Sequence, residues 1–144
     1  MSQLDEKDTR IIEMLEEDGR QSFKDIAKRL KVSEATVRKR VIALQHNGVI
    51  KRFTIKVDNV KLGLNTVAIV GVDVDPTRML DVVQRLCDLK EVKCVAISSG
   101  DHMIMLEIWA RDGRELTKLI SGKIETVEGV KRICPALILE KLKD

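Results

Sequence analysis

Tyrosine is absent from this chain, and the remaining aromatic residues are Trp109, Phe23 and Phe53. Modules that read single-stranded nucleic acid stack bases on aromatic faces, and this sequence has almost none to offer. Histidine is equally scarce, with His46 and His102 alone. That is little material for a Ser/His/Asp or Cys/His catalytic set, or for a His-rich metal site. The three cysteines, Cys87, Cys94 and Cys134, stand singly. They make neither a disulfide framework nor a C-x-x-C knuckle, and read as buried small apolar side chains in a reducing cytoplasm. Long apolar runs are missing too. Around the most apolar segment the charge-free stretch covers residues 62–72, which is 11 residues. A bilayer span needs ~20. Residues 1–10 are charged and have no apolar centre, so no secretory signal is expected.

What is present is a folding composition. The chain has 144 residues, 44% hydrophobic and 34% charged, which suits one domain or two small ones. The net charge of +3 conceals a strong asymmetry. Residues 1–19 carry 2 basic and 7 acidic side chains, whereas residues 20–53 carry 10 basic and 2 acidic. Residues 54–144 hold 14 of each sign. The positive field is therefore confined to one short segment, and such a patch attracts phosphate backbones. A solvated helix face laced with ion pairs would give the same count, so the segment must also be read for structure.

Residues 4–18 have a helical stripe of Ile11, Ile12 and Leu15, and Gly19 ends it. Ser22 opens a second helix, with Asp25 three residues on in a capping-box-like arrangement. Phe23, Ile26, Ala27 and Leu30 recur at helical spacing. After a short break at Lys31-Val32, Ser33 caps a third helix whose buried stripe is Val37, Val41 and Leu44, and Gly48 stops it. Two short helices joined by a tight turn, behind a supporting helix, describe a helix-turn-helix. On a wheel of ~100° per residue, Ala35 and Lys39 point away from the buried stripe, flanked by Thr36 and Arg38. Small groups, a hydroxyl and cations suit a helix entering the major groove of double-stranded DNA. The expected DNA contacts are Ser33, Ala35, Thr36, Arg38 and Lys39, with Arg20, Lys24 and Lys28 on phosphates. Arg40 lies nearer the buried side. It can contact DNA or form an ion pair with the acidic first helix.

Residues 49–57 alternate, with Phe53, Ile55 and Val57 on one side, which predicts a strand. Residues 58–64 read as a linker, so the expected units are 1–63 and 64–144. The second unit predicts strands at 66–74, 92–98, 103–110 and 130–139, with helices at about 75–89 and 112–124. That is βαββαβ, a ferredoxin-like order, and the whole chain is α+β. Two helices cover one face of such a sheet. Yet residues 67–72 and 103–106 are near-continuous apolar runs, which suit strands buried on both faces. A second copy of the chain is the natural cover, so a symmetric homodimer is expected, with Met103, Met105 and Trp109 in core or interface.

Catalytic candidates are weak. Ser98 and Ser99 near His102 read as turn residues, Cys94 and His102 do not complete a metal site, and no glycine-rich phosphate loop exists. No enzyme activity, cofactor or metal is expected. Gly100 beside Asp101 is a better lead: a free backbone N–H and a carboxylate suit a small amphoteric ligand such as an amino acid, although an ordinary hairpin turn has the same spacing.

Leu4-Asp5, Asp8, Ile11-Ile12, Leu15, Asp18-Gly19-Arg20, Ile26-Ala27, Ser33, Thr36-Val37, Arg40-Val41, Leu44 and Gly48-Val49-Ile50 resemble the Lrp/AsnC helix-turn-helix. Leu62-Gly63, Ser99-Gly100-Asp101 and Gly129-Val130 resemble the later parts of that family. The likeness covers essentially the whole chain. Residues 98–105 and Cys134-Pro135-Ala136 are most similar to its archaeal LrpA type. The resemblance implies a cytoplasmic, sequence-specific DNA-binding transcriptional regulator, a repressor that acts on its own promoter among others. It implies dimers that assemble to tetramers or octamers. It also implies an amino-acid effector near Ser99, Gly100, Asp101 and Met103. Two departures concern that site: Met103 stands where amino-acid-binding members often have an acidic residue, and Pro135 lies near their small hydroxyl residue. Ile42 and Ala43 replace basic residues of some members. The competing reading is an architectural DNA-binding protein with little sequence preference.

Overall fold

The computed structural model describes residues 4–142. The chain divides into two compact units, the first ending at Lys56 and the second beginning at Val57.

The first unit holds three helices: α1 (Glu6–Glu17), α2 (Phe23–Leu30) and α3 (Glu34–His46). Each begins at a side-chain cap. The Asp5 carboxylate accepts the Asp8 N–H at 2.8 Å, and the Asp8 carboxylate accepts the Asp5 N–H in return. Ser22 and Ser33 accept from the N–H groups of Asp25 and Thr36, both at 3.1 Å. The reciprocal half of the box at Ser22 differs from expectation: the Ser22 hydroxyl donates to the Asp25 carboxylate at 2.6 Å. Between α2 and α3 the backbone reverses at Lys31, a non-glycine residue with φ of 53°. Its N–H and that of Val32 bond back to the carbonyls of α2. Gly48, with φ of 72°, follows α3, in the left-handed position that ends many helices. Ile11, Ile26, Val37, Val41 and Leu44 converge in the core of this unit, each worth ~1.5–3 kcal/mol when fully buried.

The strand expected at 49–57 does not form. These residues make no ladder, and Phe53, Ile55 and Val57 are exposed, Ile55 by 78%. The alternation is real, but an extended segment becomes a strand only when another strand takes its N–H and C=O groups. A single chain supplies none here. Residues 58–64 form an ordered turn of the second unit: Asp58 accepts the N–H groups of Val60 and Lys61, and Asn59 Nδ2 donates to the Leu64 carbonyl at 2.8 Å.

The second unit comprises β1 (Thr66–Val74), α4 (Met79–Cys87), β2 (Val92–Ile97), β3 (Ile104–Ala110), α5 (Gly113–Leu119) and β4 (Val130–Ile138). A 3₁₀ turn, Pro76–Arg78, leads into α4, and a π turn, Ile120–Ile124, extends α5. The sheet order is β2-β3-β1-β4, antiparallel throughout, which is the ferredoxin-like arrangement. Ala68, Val70, Val72 and Val74 of β1 and Ile104, Leu106, Ile108 and Ala110 of β3 pack under Val82, Leu86, Leu116 and Leu119 of the helices. Among the described residues no helix covers the opposite face. There Met105, Glu107 and Trp109 of β3 are half-buried, and Cys94 and Ala96 of β2 are exposed. The burial expected of the cysteines is not found: Cys87 and Cys94 are exposed and Cys134 is half-buried. Trp109 donates to Glu107 at 2.8 Å, and the ammonium groups of Lys93 and Lys141 lie 5.7 and 5.8 Å from its ring. Met103 packs against the helix-covered core.

Candidate nucleic-acid interface

The N-terminal half of α3 is built outward from its cap. Ser33 receives the Thr36 N–H, and the hydroxyls of Ser33 and Thr36 lie 2.8 Å apart. Ala35, Arg38 and Lys39 are exposed and Thr36 is partly buried, while Val37 and Val41 fill the core beneath. A shallow open groove runs along this face, lined by Glu34, Ala35, Arg38, Lys39 and Ile42. Ile42, 60% exposed, continues it with an apolar surface.

The cations on this helix are held differently. Arg38 Nη2 donates to Glu34 Oε1 at 3.0 Å, and its guanidinium lies 5.4 Å from the Phe23 ring centroid. Arg40 Nη1 donates to Asp5 at 2.7 Å and to Asp8 at 2.8 Å. Of the two alternatives for Arg40, the structure contains the ion pair, which ties α3 to the start of α1. The Asp8 N–H and the Arg40 guanidinium together hold the Asp5 carboxyl below its ordinary pKa, and the two carboxylates raise that of Arg40. Lys39 has no ion-pair or side-chain hydrogen-bond partner among the described residues. Lys24 and Lys28 are exposed along α2, and Arg20 is exposed in the turn before it. The sequence reading missed Glu34, Phe23 and Ile42. The four-residue spacing of Glu34 and Arg38 was visible in the sequence; the Phe23 contact crosses between helices and was not.

In the second unit, Ser98-Ser99-Gly100-Asp101 forms the turn between β2 and β3, closed by the Ser98 N–H to the Met103 carbonyl at 2.9 Å. The Gly100 N–H, expected free, donates to Ser98 Oγ at 3.1 Å. Ser99 and Asp101 are exposed. His102 meets Asp73: its Nδ1 lies 3.3 Å from both carboxylate oxygens of Asp73, which also accepts the Met103 N–H at 3.4 Å. Asp73 thus anchors the turn, and its only sequence signal is a lone carboxylate in an apolar strand. No group of three His, Cys, Asp or Glu among the described residues could hold a metal ion.

Two family models match this chain. Residues 4–48 match the AsnC-type helix-turn-helix domain, and residues 67–144 match the Lrp/AsnC ligand binding domain. The chain belongs to the Lrp/AsnC family. It is a DNA-binding transcriptional regulator, as its relatives in the family are, and not an enzyme. The HTH-type transcriptional regulator LrpA of Pyrococcus horikoshii is 49% identical over 140 residues, covering 97% of this chain and 99% of that protein. Among solved structures, AsnC of E. coli superposes with a TM-score of 0.90 at 22% identity, covering 99% of this chain and 96% of that one. The L-Met complex of transcriptional regulator NMB0573 from Neisseria meningitidis gives 0.91 at 18% identity, covering 99% and 94%. Both likenesses show the shared fold. No helix among the described residues of this Lrp/AsnC regulator is long and apolar enough to cross a membrane.

Proposed function

We propose that this regulator is a site-specific cytoplasmic repressor whose targets include its own promoter. Its residues 1–63 would hold DNA. Its residues 64–144 would oligomerise and take an amino-acid effector. The observation that carries the DNA reading is the exposed N-terminal half of α3, where Lys39 is uncommitted beside Ala35, Thr36 and Arg38. A helix presented that way enters the major groove with its first turns on base edges. Arg20, Lys24 and Lys28 contribute phosphate contacts, which position without specifying. Ser33 and Thr36 supply hydroxyls at the same helix end, and Arg40 sets the pose of α3 through its ion pair. The uncovered sheet face and the unpaired segment 49–57 support a homodimer, assembling further to tetramers or octamers as the family resemblance implies.

The effector reading rests on the family's ligand-binding domain model and on the L-Met bound by the Neisseria regulator. The turn of Ser99, Gly100, Asp101 and Met103 is where an amino acid would bind, displacing Ser98 from the Gly100 N–H. Titration onto the protein's own promoter and onto scrambled DNA of equal length, at several salt concentrations and with and without amino acids, tests the whole proposal. A specificity ratio of ~10³ or more supports a site-specific regulator. Equal binding to both with a steep salt slope supports the architectural reading instead. Lys39→Ala is expected to weaken promoter binding by about 1–3 kcal/mol if it reads a base.

A further inference from the structure

Resting on the reading that α3 enters the major groove, we infer that Glu34 is a specificity-determining residue. It orients Arg38 as a guanine-reading fork, and its own carboxylate selects cytosine, whose major-groove edge offers an amino donor and no acceptor.

Glu34 is the one acidic residue of α3, inside the 20–53 segment that is otherwise strongly basic. It sits on the exposed groove with Ala35, Arg38, Lys39 and Ile42. A carboxylate there repels phosphates, so backbone attraction alone gives it no use. Capping does not require it, because Ser33 already accepts the Thr36 N–H at the end of the helix. What Glu34 does is hold a guanidinium. Arg38 Nη2 is 3.0 Å from Glu34 Oε1, and Phe23 of α2 lies under the same group at 5.4 Å. The fork is thus restrained by both helices of the motif before DNA arrives. Among the described residues one of its donors is taken, leaving the others for the O6 and N7 acceptors of guanine.

The carboxylate has no hydrogen to donate. It is repelled by the acceptor atoms O6, N7 and O4, and it accepts from the N4 amino group of cytosine. The side-chain tips of Glu34 and Arg38 lie 3.0 Å apart, about one base step of ~3.4 Å, so the two address neighbouring base pairs of one half-site. Ala35 lines the same groove and permits close approach.

The test is selection from a pool of random-sequence DNA duplexes with the full chain, for wild type, E34A, E34Q and R38A. Affinities for the winning duplex and for a scrambled duplex follow. Wild type is expected to enrich a motif with cytosine at one position and guanine at another. In E34A the cytosine discrimination falls about fivefold or more, and binding to scrambled DNA tightens. E34Q keeps an acceptor for Arg38 and moves that position toward adenine, the base a carboxamide pairs with. R38A loses the guanine and retains discrimination at the other position. The inference is overturned if E34A and E34Q select the wild-type motif with undiminished discrimination. It is also overturned if folded E34A, checked by circular dichroism, loses affinity for all duplexes equally. A wild-type protein that enriches no motif overturns the site-specific reading itself, and this inference with it.

Discussion

The guanidinium of Arg40 donates to two carboxylates of the α1 capping box, with Asp8 the more enclosed of the pair. One side chain thereby joins the start of the first helix to the middle of the third. Exposed ion pairs contribute little, but this one is part-buried and bridges two acids. Arg40→Ala is expected to lower stability by about 1–2 kcal/mol, read from chemical denaturation of the full chain. The direction with pH follows from Asp5. Its folded pKa lies below the ordinary 3.8, through the Asp8 N–H first and Arg40 second. The stabilisation is therefore full above the unfolded value and is lost as pH falls through the folded one. Thermal midpoints measured from pH 6 downward should drop less steeply for Asp5→Asn than for wild type below about pH 4.

At the scale of elements, the close approach of β1 to the turn before β3 sets how the second unit is assembled. A Cβ at Gly71 would lie 2.1 Å from His102 Cδ2, so the glycine makes room for the ring that reaches Asp73. Gly71→Ala must push His102 aside, at a cost of about 1–3 kcal/mol typical of overpacking. Combining it with His102→Ala should recover most of that loss, as a double-mutant cycle by thermal denaturation would reveal. The helices were readable because their signals are local: Ser22, Ser33 and Gly48 are one-residue marks, and Val37, Val41 and Leu44 recur at the period of a helix. Strands of the second unit were readable from another local signal, the near-continuous apolar runs of residues 67–72 and 103–106. The segment 49–57 has an equally clear period but makes no ladder. Periodicity reports which way side chains alternate, whereas a strand also needs a neighbour to take its backbone hydrogen bonds.

For the molecule as a whole, two apolar surfaces stand open in a single chain: the sheet face carrying Met105 and Trp109, and the row of Phe53, Ile55 and Val57. Exposed apolar surface of this kind is a drive to associate. If the segment 49–57 pairs with that of a second copy, Ile55→Ser combined with Phe53→Ser should raise the dimer dissociation constant tenfold or more, about 1.4 kcal/mol. Sedimentation equilibrium would register it, and an unchanged constant would place the dimer contact on the sheet face alone.

The amino-acid sequence by itself determined the two-part plan, the three capped helices, the βαββαβ order and the confinement of positive charge to residues 20–53. Each depends on residues near one another in the chain, where period, cap and turn chemistry act. Only the tertiary structure decided which charges are committed. Arg40 meets carboxylates more than thirty positions away, Phe23 underlies Arg38 from another helix, and His102 in the turn before β3 finds Asp73 on the neighbouring β1. Such pairings depend on how helices and strands pack in space, and spacing along the chain cannot report them.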